Sequence, residues 1–149
     1  NPVRQDWIDG LSRTLATIED DVILVGHSCG ANAIAQWAEL NTNPKVKGAL
    51  LVAPADIDAP DALEEIRVQR PLPEKEIAFP TILVCSDNDE YISLKKGKEL
   101  AENWGSEFVI LPNGGHIHSH AGFGNWPMGE QLIEKLAGFH VLAPHKQQV

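Results

Sequence analysis

A chain of 149 residues, 43% of them hydrophobic, can bury one real core and is read as one domain over residues 1–149. A formal net charge of −9 repels phosphate backbones, so nucleic acid is not an expected partner. No apolar run approaches the ~20 residues of a membrane span, Asn1-Pro2-Val3-Arg4 has no signal-peptide core, and only Cys29 and Cys85 carry thiols, so a reducing, cytoplasmic setting away from membranes is expected.

Trp7, Ile8, Leu11, Leu15 and Ile18 recur at helical spacing and predict an amphipathic helix over 3–18, with Trp7 packed in the core. Residues 22–26 are apolar at consecutive positions, as in a parallel strand covered on both faces. A helix follows to about Leu40. Val46–Val52 is the next strand. Residues 57–76 change character: two proline-rich brackets enclose a short helical piece, Ala62 to Val68, read as a modest lid or surface excursion with a solvated charge run. A third strand, Thr81–Cys85, ends in the polar turn Ser86-Asp87-Asn88-Asp89-Glu90. A helix over 94–104, a strand over Glu107–Leu111, a glycine-rich turn to His116 and a last helix from Met128 complete the pattern. Strand and helix alternate, which predicts an α/β fold with a mostly parallel sheet and helices on both faces.

The first strand runs into Gly26-His27-Ser28-Cys29-Gly30. A Gly-x-Ser-x-Gly pentapeptide arises by chance in roughly one chain of this length in twenty, so its placement between strand and helix carries the weight. Such a turn holds the serine in a strained conformation and lifts its hydroxyl over the sheet's end. Gly26, Gly30, Ala31 and Ala33 are expected to give strand and helix clearance. The helix then presents its free N–H groups to a developing oxyanion, with the Cys29 N–H as first donor. Cys29 itself reads as a reactive thiol or as a small residue the turn tolerates.

Open α/β sheets bind ligands at the carboxyl ends of their strands. Ser28, the Asp87/Asp89 turn and His116 all fall there, in the chain order of a serine, an acid and a histidine. Ser28 would attack an acyl carbonyl, His116 would carry its proton, and Asp87 or Asp89 would orient His116. His27, Phe123 and Trp126 are candidate substrate contacts, although large aromatics also serve as core. No cofactor is called for. His116-Ile117-His118-Ser119-His120 offers a rival, a histidine metal site. A catalytically weak interaction module on the same scaffold is a third possibility.

Gly26-His27-Ser28-Cys29-Gly30, Ser86-Asp87-Asn88-Asp89, Gly115-His116 and Gly122-Phe123-Gly124-Asn125-Trp126-Pro127 together resemble the small serine hydrolases of the retinoblastoma-binding-protein-nine-like family, with its bacterial YdeN-type group. The resemblance implies a three-layer α/β-hydrolase fold, cleavage of small esters or amides, and Asp89 as the acid, with Glu90 where the family often has proline. It also implies earlier strands and a second oxyanion donor from a loop after one of them. The chain is therefore expected to be a fragment lacking its N-terminal strands, and to be weakened in activity by that loss. An open, shallow site is expected from the short excursion.

Overall fold

The computed structural model describes residues 4–117 and 126–138. The chain runs α1 (Arg4–Ala16), β1 (Val22–His27), α2 (Cys29–Leu40), β2 (Val46–Val52), α3 (Glu64–Arg67), β3 (Thr81–Ser86), α4 (Leu94–Trp104), β4 (Glu107–Leu111) and α5 (Pro127–Ala137). The four strands pair in parallel in the order β1-β2-β3-β4.

Side chains alternate across a strand, so a strand buried on both sides feeds two cores. Ala49 and Leu51 of β2 and Leu83 and Cys85 of β3 face one way, into a core shared with Ile8 and Leu15 of α1, Ile34 and Trp37 of α2, and Leu100 and Trp104 of α4. Leu50 and Val52, with Ile82 and Val84, face the other way and meet Leu132, Ile133 and Leu136 of α5. This is three layers, helix on sheet on helix, as the alternating pattern predicts. Burying each such leucine or isoleucine is worth roughly 1.5–3 kcal/mol, which makes β2 and β3 the rigid centre.

The helix ends follow their local chemistry. The Ser93 hydroxyl accepts the Lys96 N–H at the start of α4. Gly105 and Gly138 end α4 and α5 in the left-handed conformation, at φ 71° and 79°. Pro127 opens α5, where a missing N–H costs nothing.

β1 departs from the expectation of cover on both faces. Val25, pointing away from Leu24, is 56% exposed. Among the described residues β1 pairs with β2 alone, and α5 lies mainly over β2. Trp7 departs with it. It is half-buried rather than a core residue, and it lines a groove of about 290 Å³ beside Leu11, Leu24 and Val25. Its Nε1 has no hydrogen-bond partner among the described residues.

The 57–76 excursion is stitched to the body more firmly than its polar composition suggests. Ile57 and Leu72 are buried within it, and Ile77 just after it. Gln36, inside α2, donates to the carbonyls of Gln69 (2.6 Å) and Pro71 (3.2 Å), and Trp104 Nε1 donates to Pro73 O at 2.8 Å. Arg67 reaches the carbonyls of Pro60 and Ala62, and Arg70 those of Ile57 and Ala59. The two arginines therefore close the loop on itself rather than forming part of a purely solvated face. Among the described residues, no helix is long and apolar enough to cross a membrane.

Candidate active site

Ser28 sits between β1 and α2 with φ 58° and ψ −121°. A serine at positive φ is strained by about 1–3 kcal/mol, and the surroundings hold it there. Its N–H extends the sheet ladder to Val52 O at 2.9 Å, while its carbonyl accepts from Ala31 and Asn32 in the first turn of α2. Gly26 is what lets strand and helix approach. A Cβ there would lie 2.7 Å from the backbone of Gly30 and Ala31. Gly30 does not provide clearance, because a Cβ there meets nothing within 4 Å; it faces the open groove along β1. Gly26→Ala should therefore cost about 3 kcal/mol, the upper end for overpacking, and lower Tm by about 10 °C in a thermal melt.

His116 follows β4, and its ring reaches back across the sheet's edge. His116 Nε2 lies 2.8 Å from Ser28 Oγ. His116 Nδ1 lies 2.8 Å from Asp89 Oδ2 and 3.0 Å from Oδ1. The Asp89 side chain is fully buried and that of His116 is 9% exposed. An ionised carboxylate only accepts, so Nδ1 carries the proton and Nε2 of the neutral ring is left to accept from the serine hydroxyl. The Tyr91 N–H also donates to Asp89 Oδ1, at 2.8 Å.

The two aspartates of the turn have separate tasks. Asp87 Oδ1 accepts the N–H of Asn113 at 2.8 Å, and Asn88 Oδ1 accepts that of Gly115 at 2.7 Å. The turn after β3 thus fastens the loop that carries His116, while Asp89 alone meets the imidazole. His27 completes the fastening. Its Nε2–H donates to the His116 carbonyl at 2.6 Å, and its ring lies 4.9 Å from the His116 ring. Tyr91 packs on His116 at 4.5 Å. His27 therefore stands as a prop for His116 and not in the cleft wall.

The cleft holds about 310 Å³ and is lined by Ser28, Cys29 and His116 with Ala55, Leu63, Ile66, Glu90 and Tyr91. Trp126 packs over Gly129 and against the core beneath the sheet, away from this lining. Phe123, and His118 and His120 of the metal alternative, lie outside the described residues. Among the described residues, no three His, Cys, Asp or Glu side chains gather as a metal site. Tyr91, Asn88, Leu63 and Ile66 were not singled out from the sequence. The only signal for Tyr91 and Asn88 was their place beside the Asp89 turn.

Both thiols are free. Burial pushes the Cys29 thiol up, and a hydrogen bond with Ser28 draws it partly back. Burial, with the Asp89 charge second, pushes Cys85 up to about 12. A raised pKa leaves less thiolate at neutral pH. Iodoacetamide should therefore modify Cys29 slowly at pH 7 and faster by about tenfold per pH unit into the alkaline range. Cys85 should stay unmodified until the protein is denatured, as read by peptide mass spectrometry.

A strained serine on a strand-to-helix turn, at the carboxyl edge of a parallel sheet with helices on both faces, defines an α/β-hydrolase. The chain belongs to the Serine hydrolase family, whose profile matches residues 1–135. It is similar to the hydrolase YdeN of Bacillus subtilis (strain 168), at 27% identity over 133 residues, 85% of this chain and 70% of that one. Among solved structures it is similar to a YdeN-like hydrolase from Pectobacterium atrosepticum, with TM-score 0.76 and 30% identity over 94% of this chain and 70% of that one. The ydeN gene product of B. subtilis shares the fold, with TM-score 0.72 and 20% identity over 92% of this chain and 76% of that one. The chain is thus a YdeN-type serine hydrolase.

Proposed function

We propose that the chain cleaves small esters or amides through an acyl-enzyme on Ser28. The observation that carries this is the pair of 2.8 Å contacts on the two sides of one imidazole, Ser28 Oγ to His116 Nε2 and His116 Nδ1 to Asp89 Oδ2. In the first half-reaction His116 takes the serine proton as Oγ attacks the acyl carbon, then gives that proton to the leaving group. In the second, water enters, His116 takes its proton, and the acid departs as Ser28 regains its hydrogen. Asp89 keeps the ring in the useful tautomer and stabilises its charged form. The N–H of Cys29 heads α2, where the first N–H groups have no partner within the helix, and supports the oxyanion together with the helix dipole. No cofactor, nucleic acid or membrane enters the proposal. The free thiols support a reducing, cytoplasmic setting.

Mixing with p-nitrophenyl butyrate tests it. A burst of nitrophenol, with a butyryl mass increment on the Ser28 peptide, is expected. Equal nitrophenol release by the parent and by Ser28→Ala contradicts it.

A further inference from the structure

His116 is carried by a loop that bends at a residue ill suited to bending. Ile117 has φ 51°, in the left-handed region where a β-branched side chain is an outlier. Strain of that kind persists only where the surroundings over-determine it. Here the isoleucine side chain is buried among Leu50, Val52, Ala53, Ile82 and Val84, in the core on the α5 side of the sheet. Glycine takes this backbone without strain but has no side chain to bury. The burial of the isoleucine is what holds the bend.

The peptide unit between His116 and Ile117 is held at both of its polar atoms. Its carbonyl accepts from His27 Nε2–H at 2.6 Å. Its N–H donates to Gly114 O at 3.0 Å. The side chains on either side of that unit have different destinations: His116 meets Ser28 and Asp89, and Ile117 packs into the core. Upstream, Asp87 and Asn88 accept the N–H groups of Asn113 and Gly115, which fixes where the loop enters. The orientation of the 116–117 peptide is left to His27, Gly114 and the buried isoleucine. Val52, in the same cluster as Ile117, accepts the Ser28 N–H at its carbonyl, at 2.9 Å. The end of β2 therefore seats the serine and anchors the histidine loop.

Resting on the serine hydrolase reading above, we infer that Ile117 is a positioning residue for His116, acting through the peptide they share, with His27 holding the carbonyl of the same unit. Shortening the Ile117 side chain removes what opposes the strain. The backbone then relaxes, and the carbonyl and the imidazole move with it. The 2.8 Å contact between His116 Nε2 and Ser28 Oγ does not survive a shift of about 1 Å, and a misplacement of that size costs about 10²-fold in rate.

The test compares two variants that remove the same atoms from one cluster, Ile117→Ala and Ile82→Ala. Each should lower Tm. With p-nitrophenyl butyrate, well below either Tm, Ile117→Ala should lose about 10²-fold in kcat with KM within about twofold. Ile82→Ala should keep kcat within about threefold. Ile117→Val keeps the branched side chain and should recover kcat to within about tenfold of the parent. A second readout needs no substrate: the downfield proton NMR signal of His116 Nδ1–H, which is donated to Asp89. It should persist in the parent and in Ile82→Ala and be lost to exchange with water in Ile117→Ala. Should Ile117→Ala not fold, His27→Ala takes its place, because that side chain is exposed and its loss frees the same carbonyl. It should weaken the same signal and lower kcat by about tenfold. Equal kcat losses in Ile117→Ala and Ile82→Ala, or a signal left unchanged by Ile117→Ala or its substitute, overturns the inference and leaves the hydrolase reading intact. If the parent releases no nitrophenol and Ser28 takes no fluorophosphonate, the hydrolase reading fails, and the proton signal alone decides whether Ile117 holds the ring.

Discussion

Asp89→Asn should lower kcat for a short p-nitrophenyl ester by about 10⁴-fold with little change in Tm. The carboxylate accepts from His116 Nδ1 and from the Tyr91 N–H. An asparagine keeps one acceptor oxygen, and the Tyr91 N–H can hold it. Its NH₂ then faces His116 Nδ1, and two donors cannot share a hydrogen bond. The ring responds by moving its proton to Nε2, where it no longer accepts from Ser28. Asp87→Asn supplies the contrast. Its bond to the Asn113 N–H can be made equally well by an amide oxygen. A neutral hydrogen bond for a charged one should cost less than about tenfold. A larger loss in Asp87→Asn than in Asp89→Asn, in kcat and not in Tm, would reverse the assignment of the acid.

Ser28→Ala should remove about 10⁶-fold of kcat, leaving only what substrate positioning supplies. The fold should survive. The side chain bonds to His116 and to the Cys29 thiol, both in the cleft, and alanine at φ 58° is strained much as serine is. The double variant Ser28→Ala/His116→Ala should be no slower than Ser28→Ala alone, because the two side chains act in one step and their losses do not add. Steady-state rates of the two single variants and the double, compared as a cycle, read this directly. A double variant slower by the product of the single losses would mean that His116 works independently of the serine.

Most of the frame was legible in the residues. The bounds of β2, α4 and β4 coincide with the sequence expectation, because 46–52 and 107–111 are short runs rich in apolar residues and Leu94, Leu100 and Trp104 are the apolar positions of a segment otherwise rich in helix formers. The convergence of Ser28 and His116 was legible too, since a parallel sheet sends every strand's carboxyl end to one rim. What was not legible depends on neighbours remote in the chain. Val25 and Trp7 have the composition of core residues, but burial is decided by what lies beside β1, and no local period encodes that. Asp87 and Asp89 are two residues apart in one turn; only the turn's geometry sends one to Asn113 and the other to His116. His27 precedes the serine, yet its partner is the carbonyl of His116. Gln36 reads as a polar residue in an apolar helix, and the carbonyls that justify burying it lie over 30 positions downstream. The excursion's fixity was hidden in the same way, because arginines that bind backbone carbonyls look no different in sequence from arginines in water.

We propose that His116, held by Asp89, makes the Ser28 hydroxyl a nucleophile. Fluorophosphonate labelling followed by peptide mass spectrometry reads the activated hydroxyl without depending on a particular ester. One adduct is expected, on the peptide containing Ser28, and it should be lost in Ser28→Ala and slowed at least ~100-fold in His116→Ala. An adduct on another residue, or equal labelling of Ser28 with and without the His116 imidazole, would mean that His116 does not activate the serine.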